Sequence, residues 1–263
     1  MQPISQVLSG MQLGQKSFDP PEDWDKWQAD RYNKTEGNLN EQDGYNCETC
    51  RNKGYVMLEN GNLRDCECRK IRTNIRRLKR SGLQNIDGYT FRQFQTKEPW
   101  QKEMRDAAYD FCKNPKGWFF IGGQSGIGKT FLCTAICRHM MKQYPALYFM
   151  WRDESAKLKT AVAHDYETYA QRMDEVKNID VLYIDDLFKA GGNQITAGDI
   201  NLAFEILNAR YVNEKITILS SEYLLTEIDR LDEAVAGRIR ERCGTAHALS
   251  IAKDKAKNWR WNG

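Results

Sequence analysis

No run of 18 or more apolar residues occurs in this 263-residue sequence, and its mean hydropathy is −0.71, which excludes a membrane-spanning helix. A charge excess is missing too. Lys and Arg number 39 against 36 Asp and Glu, a formal +3, so no global positive field draws the chain onto nucleic acid and any basic surface must be local. The start, Met1-Gln-Pro-Ile-Ser-Gln6, lacks the basic residues and apolar core of a secretory signal, so a cytoplasmic location with no membrane partner is expected. In that reducing setting the 8 cysteines read as metal ligands where they pair closely, rather than as disulfides. Internal repeats and low-complexity tracts are also absent.

The cysteines fall into two populations. Cys47, Cys50, Cys66 and Cys68 cluster, whereas Cys112, Cys133, Cys137 and Cys243 are scattered through core-like segments. Residues 1–42 read as a polar N-terminal tail with one short helix from Pro21 to Tyr32, bearing Trp24 and Trp27 on one face. Residues 43–88 read as a zinc-binding module followed by a basic linker helix. Within it, Cys47-x-x-Cys50 and Cys66-x-Cys68 flank a segment that contains Gly54 and Gly61 and suits a small hairpin. Four thiolates in two close pairs match a closed, structural Cys₄ zinc site, whose metal would supply the folding energy of a segment with little apolar surface.

The stretch 69–80 carries seven basic residues and no acid, with Ile71, Ile75 and Leu78 at helical spacing. It reads either as a phosphate-contacting helix or as a solvated connector. From about Tyr89 to residue 263 short apolar runs at 117–123, 146–151, 181–184, 216–220 and 245–251 alternate with helical patterns at 129–143, 154–177, 196–213 and 224–242. This alternation predicts an α/β domain, a parallel sheet with helices on both faces.

Gly123-Gln124-Ser125-Gly126-Ile127-Gly128-Lys129-Thr130 fits G-x-x-x-x-G-K-[ST], with a strand before it and a helix opening at Lys129 after it. Its backbone N–H groups can cradle phosphates, Lys129 can reach the β and γ phosphates, and the Thr130 hydroxyl can ligate magnesium; Phe131 completes the expected ATP-binding set. Val181-Leu-Tyr-Ile-Asp185-Asp186 ends a buried strand on two carboxylates. Asp185 is expected to hold Mg²⁺ and Asp186 to polarise the attacking water. The strand 216–220 leads into Ser221 and Glu222, either of which suits a nucleotide-sensing position. Arg238 and Arg242, four apart on one helical face, suit an arginine offered to a neighbouring subunit or a solvated basic face. Lys157 to Lys159, Tyr166, Tyr169 and Arg172 offer weaker candidates for gripping single strands.

Taken in this order, the cysteine cluster, the phosphate loop, Leu182-Tyr-Ile-Asp-Asp-Leu-Phe-Lys189, Leu219-Ser-Ser-Glu222 and Gly237-Arg-Ile-Arg-Glu-Arg242 resemble the DnaC/DnaI-type bacterial and phage replicative helicase loaders. These form a branch of the AAA+ ATPases that includes the IstB-like proteins. The resemblance covers roughly residues 45–251. It implies an AAA+ ATPase domain over 89–263 without a C-terminal helical lid, slow ATP hydrolysis with Mg²⁺, and self-association through that domain. The partners it implies are the replicative hexameric DNA helicase and single-stranded DNA. Glu222 departs from the small polar residue the resemblance leads one to expect. Two further readings stay open: an IstB-like transposition ATPase, and a nucleotide-gated adaptor with negligible hydrolysis.

Overall fold

The computed structural model describes residues 23–189 and 194–259; most of the expected polar tail and the final residues 260–263 lie outside them. The chain divides into two compact units, 1–68 and 69–263.

In the first unit, helix α1 (Trp24–Lys34) is capped by Asp23, whose carboxylate accepts the Lys26 N–H at 3.1 Å. Trp24 and Trp27 stack on each other, as their spacing predicts. A short helix α2 (Leu39–Asp43) follows, then strands β1 (Tyr55–Met57) and β2 (Leu63–Asp65), paired antiparallel. Asn33 of α1 donates to the Met57 carbonyl at 2.8 Å and accepts the Met57 N–H at 3.0 Å, so one side chain satisfies the strand edge as a neighbouring strand would. Apart from Ala29, the buried hydrophobic residues among the described residues of this unit are the four clustered cysteines. That is far too little apolar burial to order this many residues.

Helix α3 (Cys68–Arg80) is the basic helix, and after its first residue it belongs to the second unit. The boundary thus falls earlier than the expected one at residue 88, and packing is the reason. Ile75 and Leu78 are buried, and so is Asn74, which donates to the carbonyls of Met141 and Tyr144 at 2.7 and 2.8 Å and accepts the Ala146 N–H at 3.3 Å. The helix is docked onto the chain that leads into the second strand of the sheet.

Helix α4 (Pro99–Lys113) is additional to the expected elements and opens on a Glu98/Gln101 capping box with proline at the first helical position. Strand β3 (Trp118–Gly123) leads into helix α5 (Lys129–Met140), and β4 (Ala146–Met150) into α6 (Trp151–His164). Helix α7 (Tyr166–Asn178) precedes β5 (Val181–Leu187), and α8 (Ala197–Val212) precedes β6 (Ile216–Ser221). Helices α9 (Leu225–Leu231) and α10 (Glu233–Cys243) lead to β7 (Ala248–Ile251). Two segments expected as single helices are broken by aspartate caps. The Asp165 carboxylate accepts the Thr168 N–H at the start of α7, and that of Asp232 accepts the Val235 N–H at the start of α10.

The five strands form one parallel sheet in the order β4-β5-β6-β3-β7. Every residue of β3 is buried, because both faces are covered. Trp118 and Phe120 enter the core shared with α8 and α10, while Phe119 on the opposite face meets Phe111 of α4 at 5.8 Å between ring centroids.

Arg210 of α8 is wholly buried and donates to the Thr217 hydroxyl and to the carbonyls of Val176, Ile179 and Ile216 at 2.6–2.9 Å. It ties the ends of α7 and α8 to the start of β6. Arg210→Ala would strand those acceptors, and we expect it to lower unfolding free energy by about 3–5 kcal/mol. Urea denaturation checks this; a loss below about 1 kcal/mol would count against the role.

Candidate functional site

Strands β3 and β5 are separated by β6, which sets their tips about 9.6 Å apart at the ordinary strand spacing. The phosphate-binding sequence follows β3, the acid pair ends β5, and the tip of β6 lies between them. Gly128 takes a φ of 90° to turn the loop into α5, and a Cβ there would lie 2.7 Å from the Phe94 ring, so only glycine fits.

Asp185 is buried and accepts from three hydroxyls: Thr130 at 3.2 Å, Ser220 at 2.5 Å and Tyr148 at 2.9 Å. The carboxylate expected to share a cation with Thr130 is therefore beside it. Burial, reinforced by the Asp185 charge, pushes the Tyr148 phenol well up and keeps it a neutral donor. Lys129 is buried and donates to the carbonyls of Gly123 and Gln124 at 2.8 and 2.9 Å. Burial lowers its pKa, opposed by the charges of Asp186, Glu222 and Asp185.

The pairing of β5 with β6 is irregular between Ile184 and Leu187. Within that irregularity Asp186 takes a φ of 55°, and its N–H donates to Ser220 Oγ at 2.9 Å. The Asp186 side chain is consequently not stacked with that of Asp185. Its carboxylate meets Lys189 Nζ at 2.9 Å, and Glu222 meets the same ammonium, also at 2.9 Å. Burial opposes the Lys189 charge, but the two carboxylates outweigh it and hold its pKa up.

Lys129, Thr130, Asp186, Lys189 and Glu222 line a cavity of about 470 Å³, and Asp185 is hydrogen-bonded to the lining Thr130. One end is charged, with Lys129, Asp186, Lys189 and Glu222; the other is aromatic, with Tyr89, Phe94, Phe131 and Trp259. Trp259 is held by its N–H donating to the Gly126 carbonyl at 3.0 Å. A charged end beside the phosphate loop and an aromatic end suit the two halves of a nucleotide. The two candidates at the tip of β6 differ in their surroundings. Glu222 faces the cavity, whereas Ser221 is buried and donates to the Leu187 carbonyl at 2.8 Å.

Arg238 and Arg242 are not brought to this cavity. Arg238 donates to Asn208 Oδ1 at 2.8 Å and lies over the Phe204 ring, and Arg242 pairs with Glu214 at 3.2 Å. Of the aromatic wall only Phe131 was read from the sequence; Tyr89, Phe94 and Trp259, together with Tyr148, Ser220 and the role of Lys189, were missed. Lys189 lies within the motif quoted there, but nothing in its spacing shows that the chain turns it back onto Asp186.

The basic groups of the helical insert are mostly neutralised in place. Lys157 and Arg172 pair with Glu154 at 2.9 and 2.8 Å, Lys159 with Asp199 at 2.6 Å, and the Tyr169 hydroxyl donates to Glu205. On α3, by contrast, Arg76, Arg77 and Arg80 carry no ion-pair partner among the described residues, and they line one wall of a second cavity of about 660 Å³.

In the first unit the four cysteine sulfurs lie within 4.8 Å of one another, with Cys47–Cys66 at 3.7 Å and Cys50–Cys68 at 3.5 Å. These separations exclude disulfides, and they match the ~3.8 Å edge of a tetrahedron of thiolates ~2.3 Å from zinc. Positive φ at Arg51, Asn52 and Gly54 builds the tight turn that carries Cys50. Burial opposes ionisation of Cys50, but the Gly54 N–H and the Cys68, Cys47 and Cys66 thiols outweigh it and bring its pKa down to about 7. The donor set fits a soft cation.

Residues 50–258 match the family model of the IstB-like ATP binding proteins. The phage-like element PBSX protein XkdC of Bacillus subtilis (strain 168) is 32% identical over 217 residues, covering 76% of this chain and 80% of that protein. Among solved structures, DnaI superposes with a TM-score of 0.51 at 20% identity over 66% of this chain and 92% of that one. The replication initiator DnaA bound to AMPPCP and single-stranded DNA gives 0.50 at 23% identity over 65% and 52%. These structures share the parallel AAA+-type fold. No helix among the described residues is long and apolar enough to cross a membrane.

Proposed function

The chain belongs to the IstB-like ATP binding proteins, and from that premise we propose that it is an ATP-hydrolysing loader of a replicative hexameric DNA helicase that also contacts single-stranded DNA. The observation that carries the reading is one cavity lined by Lys129, Thr130 and the carboxylate of Asp186, with the buried Asp185 accepting the Thr130 hydroxyl. The motif order that resembles helicase loaders supports the partner class.

In this mechanism the loop from Gly123 to Thr130 binds the phosphates through its N–H groups and Lys129. Thr130 and Asp185 hold magnesium, which when bound neutralises phosphate charge. Asp186 orients the attacking water and accepts its proton. Arg238 or Arg242, remote from the cavity in its own chain, acts on a neighbouring copy, which makes hydrolysis slow in the isolated subunit. The Cys₄ cluster holds a structural zinc.

For DNA the insert is the weaker candidate, because Lys157, Lys159 and Arg172 are already paired with acids. Arg76, Arg77 and Arg80 form the stronger one. The DnaA structure, which shares this fold over part of its length, is bound to single-stranded DNA, and that supports the class of ligand.

The test is co-elution of the purified chain with the replicative helicase of its host, with and without ATP. ATP-dependent co-elution supports the loader; recovery of a transposase in place of the helicase supports the transposition reading. For the DNA surface, Arg76→Ala with Arg80→Ala is expected to flatten the salt dependence of single-strand binding by about 0.7 per lost contact. An unchanged slope in fluorescence anisotropy titrations would remove α3 from that surface.

A further inference from the structure

Glu222 is an unexpected residue beside a triphosphate, since a carboxylate aimed at the same space repels the ligand. The structure shows what stands with it. Lys189 Nζ lies 2.9 Å from both Glu222 Oε1 and Asp186 Oδ2, so two acids share one ammonium. This trio lines the charged end of the cavity with Lys129 and Thr130, and the Lys129 ammonium feels all of its charges.

The backbone is bent to make this arrangement. Asp186 at φ 55° and Phe188 at φ 67° are both non-glycine residues in the left-handed region, and the Lys189 N–H closes the turn on the Asp186 carbonyl at 2.9 Å. Strain of this kind persists where a ligand-handling geometry depends on it. The turn returns Lys189 toward the acid that precedes it by three positions.

We propose that Lys189 reads the terminal phosphate: its ammonium exchanges the Asp186 and Glu222 carboxylates for the γ-phosphate of bound ATP, and Glu222 is its resting acceptor. The inference rests on the reading of the cavity as an ATP site and deepens it. Lys129 anchors the phosphates beside the trio, which carries one positive and two negative charges. A γ-phosphate adds negative charge there, and the flexible lysine stem lets the ammonium move to it. ADP brings no such charge, so Lys189 remains with the acids. The exchange also frees Asp186, whose carboxylate the ammonium otherwise occupies, to act on water. The sensing position thus becomes an acid–lysine pair.

The experiment is calorimetric titration of Lys189→Met, Lys189→Arg and Glu222→Gln with AMPPCP and with ADP, each with magnesium. Lys189→Met is expected to weaken AMPPCP about tenfold, the scale of one charge-assisted hydrogen bond, and ADP by less than about twofold. Lys189→Arg should keep the preference for AMPPCP. Glu222→Gln should raise that preference about threefold, because a competing acceptor charge is gone. Equal weakening of both nucleotides by Lys189→Met, or no change in either, overturns the inference and leaves Lys189 as an ordinary ion pair. If the wild type binds neither nucleotide, the ATP-site reading fails and takes the inference with it. Thermal melts of the variants separate these outcomes from misfolding; Lys189 is partly exposed, which favours a folded Lys189→Met.

Discussion

Asp185→Asn is expected to lower steady-state ATP turnover at least about 100-fold while leaving ADP binding largely intact. The geometry makes the effect specific. Asp185 accepts three hydroxyl hydrogen bonds, from Thr130, Ser220 and Tyr148, and an amide offers one oxygen and an N–H₂ group that meets those donors badly. The substitution also deletes the charge that would share a cation with Thr130. Lys129 remains folded over the loop carbonyls of Gly123 and Gln124, so the phosphate cradle itself survives. Phosphate release at saturating ATP and magnesium measures the first effect, and calorimetry with ADP the second. A variant within about threefold of wild-type turnover would sink the assignment of Asp185, and equal turnover in Lys129→Ala would sink the enzyme reading altogether.

Removing the metal from the first unit should have an effect of comparable size on structure. Protein purified without chelator should carry one zinc per chain. Stripping it should abolish amide protection across residues 47–66, because metal binding of ~10–16 kcal/mol stands in for a core that is otherwise four cysteines and Ala29. Cys50→Ser should reproduce the loss, since Cys50 sits on the tight turn at Arg51 and Asn52 and accepts the Gly54 N–H. Hydrogen exchange with and without chelator reads the change, and elemental analysis the stoichiometry. Below about half an equivalent of zinc, or with unchanged protection after chelation, the cluster would be a packed thiol core.

Much of this was legible along the chain because the signals are local. The phosphate loop is contiguous and flanked by its strand and helix, and the cysteine pairs announce themselves by spacing. All five sheet strands stand as short apolar runs. Helix boundaries were less legible where a single aspartate cap divides a continuous amphipathic pattern, as at Asp165 and Asp232. Helix α4 went unread although its capping box is local. The choice between Ser221 and Glu222 could not be made from spacing, because successive residues at a strand end point to opposite sides and the spacing does not say which side the cavity is on.

Residue order alone carries the chemistry available to this protein: a phosphate-binding loop, an acid-ended strand, four paired thiols, and an alternation of strands and helices that admits a parallel sheet. These follow from residue type and short-range order, which the chain carries wherever it folds. Only the tertiary structure decided which groups meet. It set Thr130, Tyr148 and Ser220 on Asp185, turned Lys189 onto Asp186 and Glu222, paired Lys157, Lys159 and Arg172 with acids, and left Arg76, Arg77 and Arg80 without such partners among the described residues. The reason is that these contacts join residues up to 55 positions apart across a sheet. Their geometry is set by strand order, register and one backbone bulge, none of which is written in any local stretch of sequence.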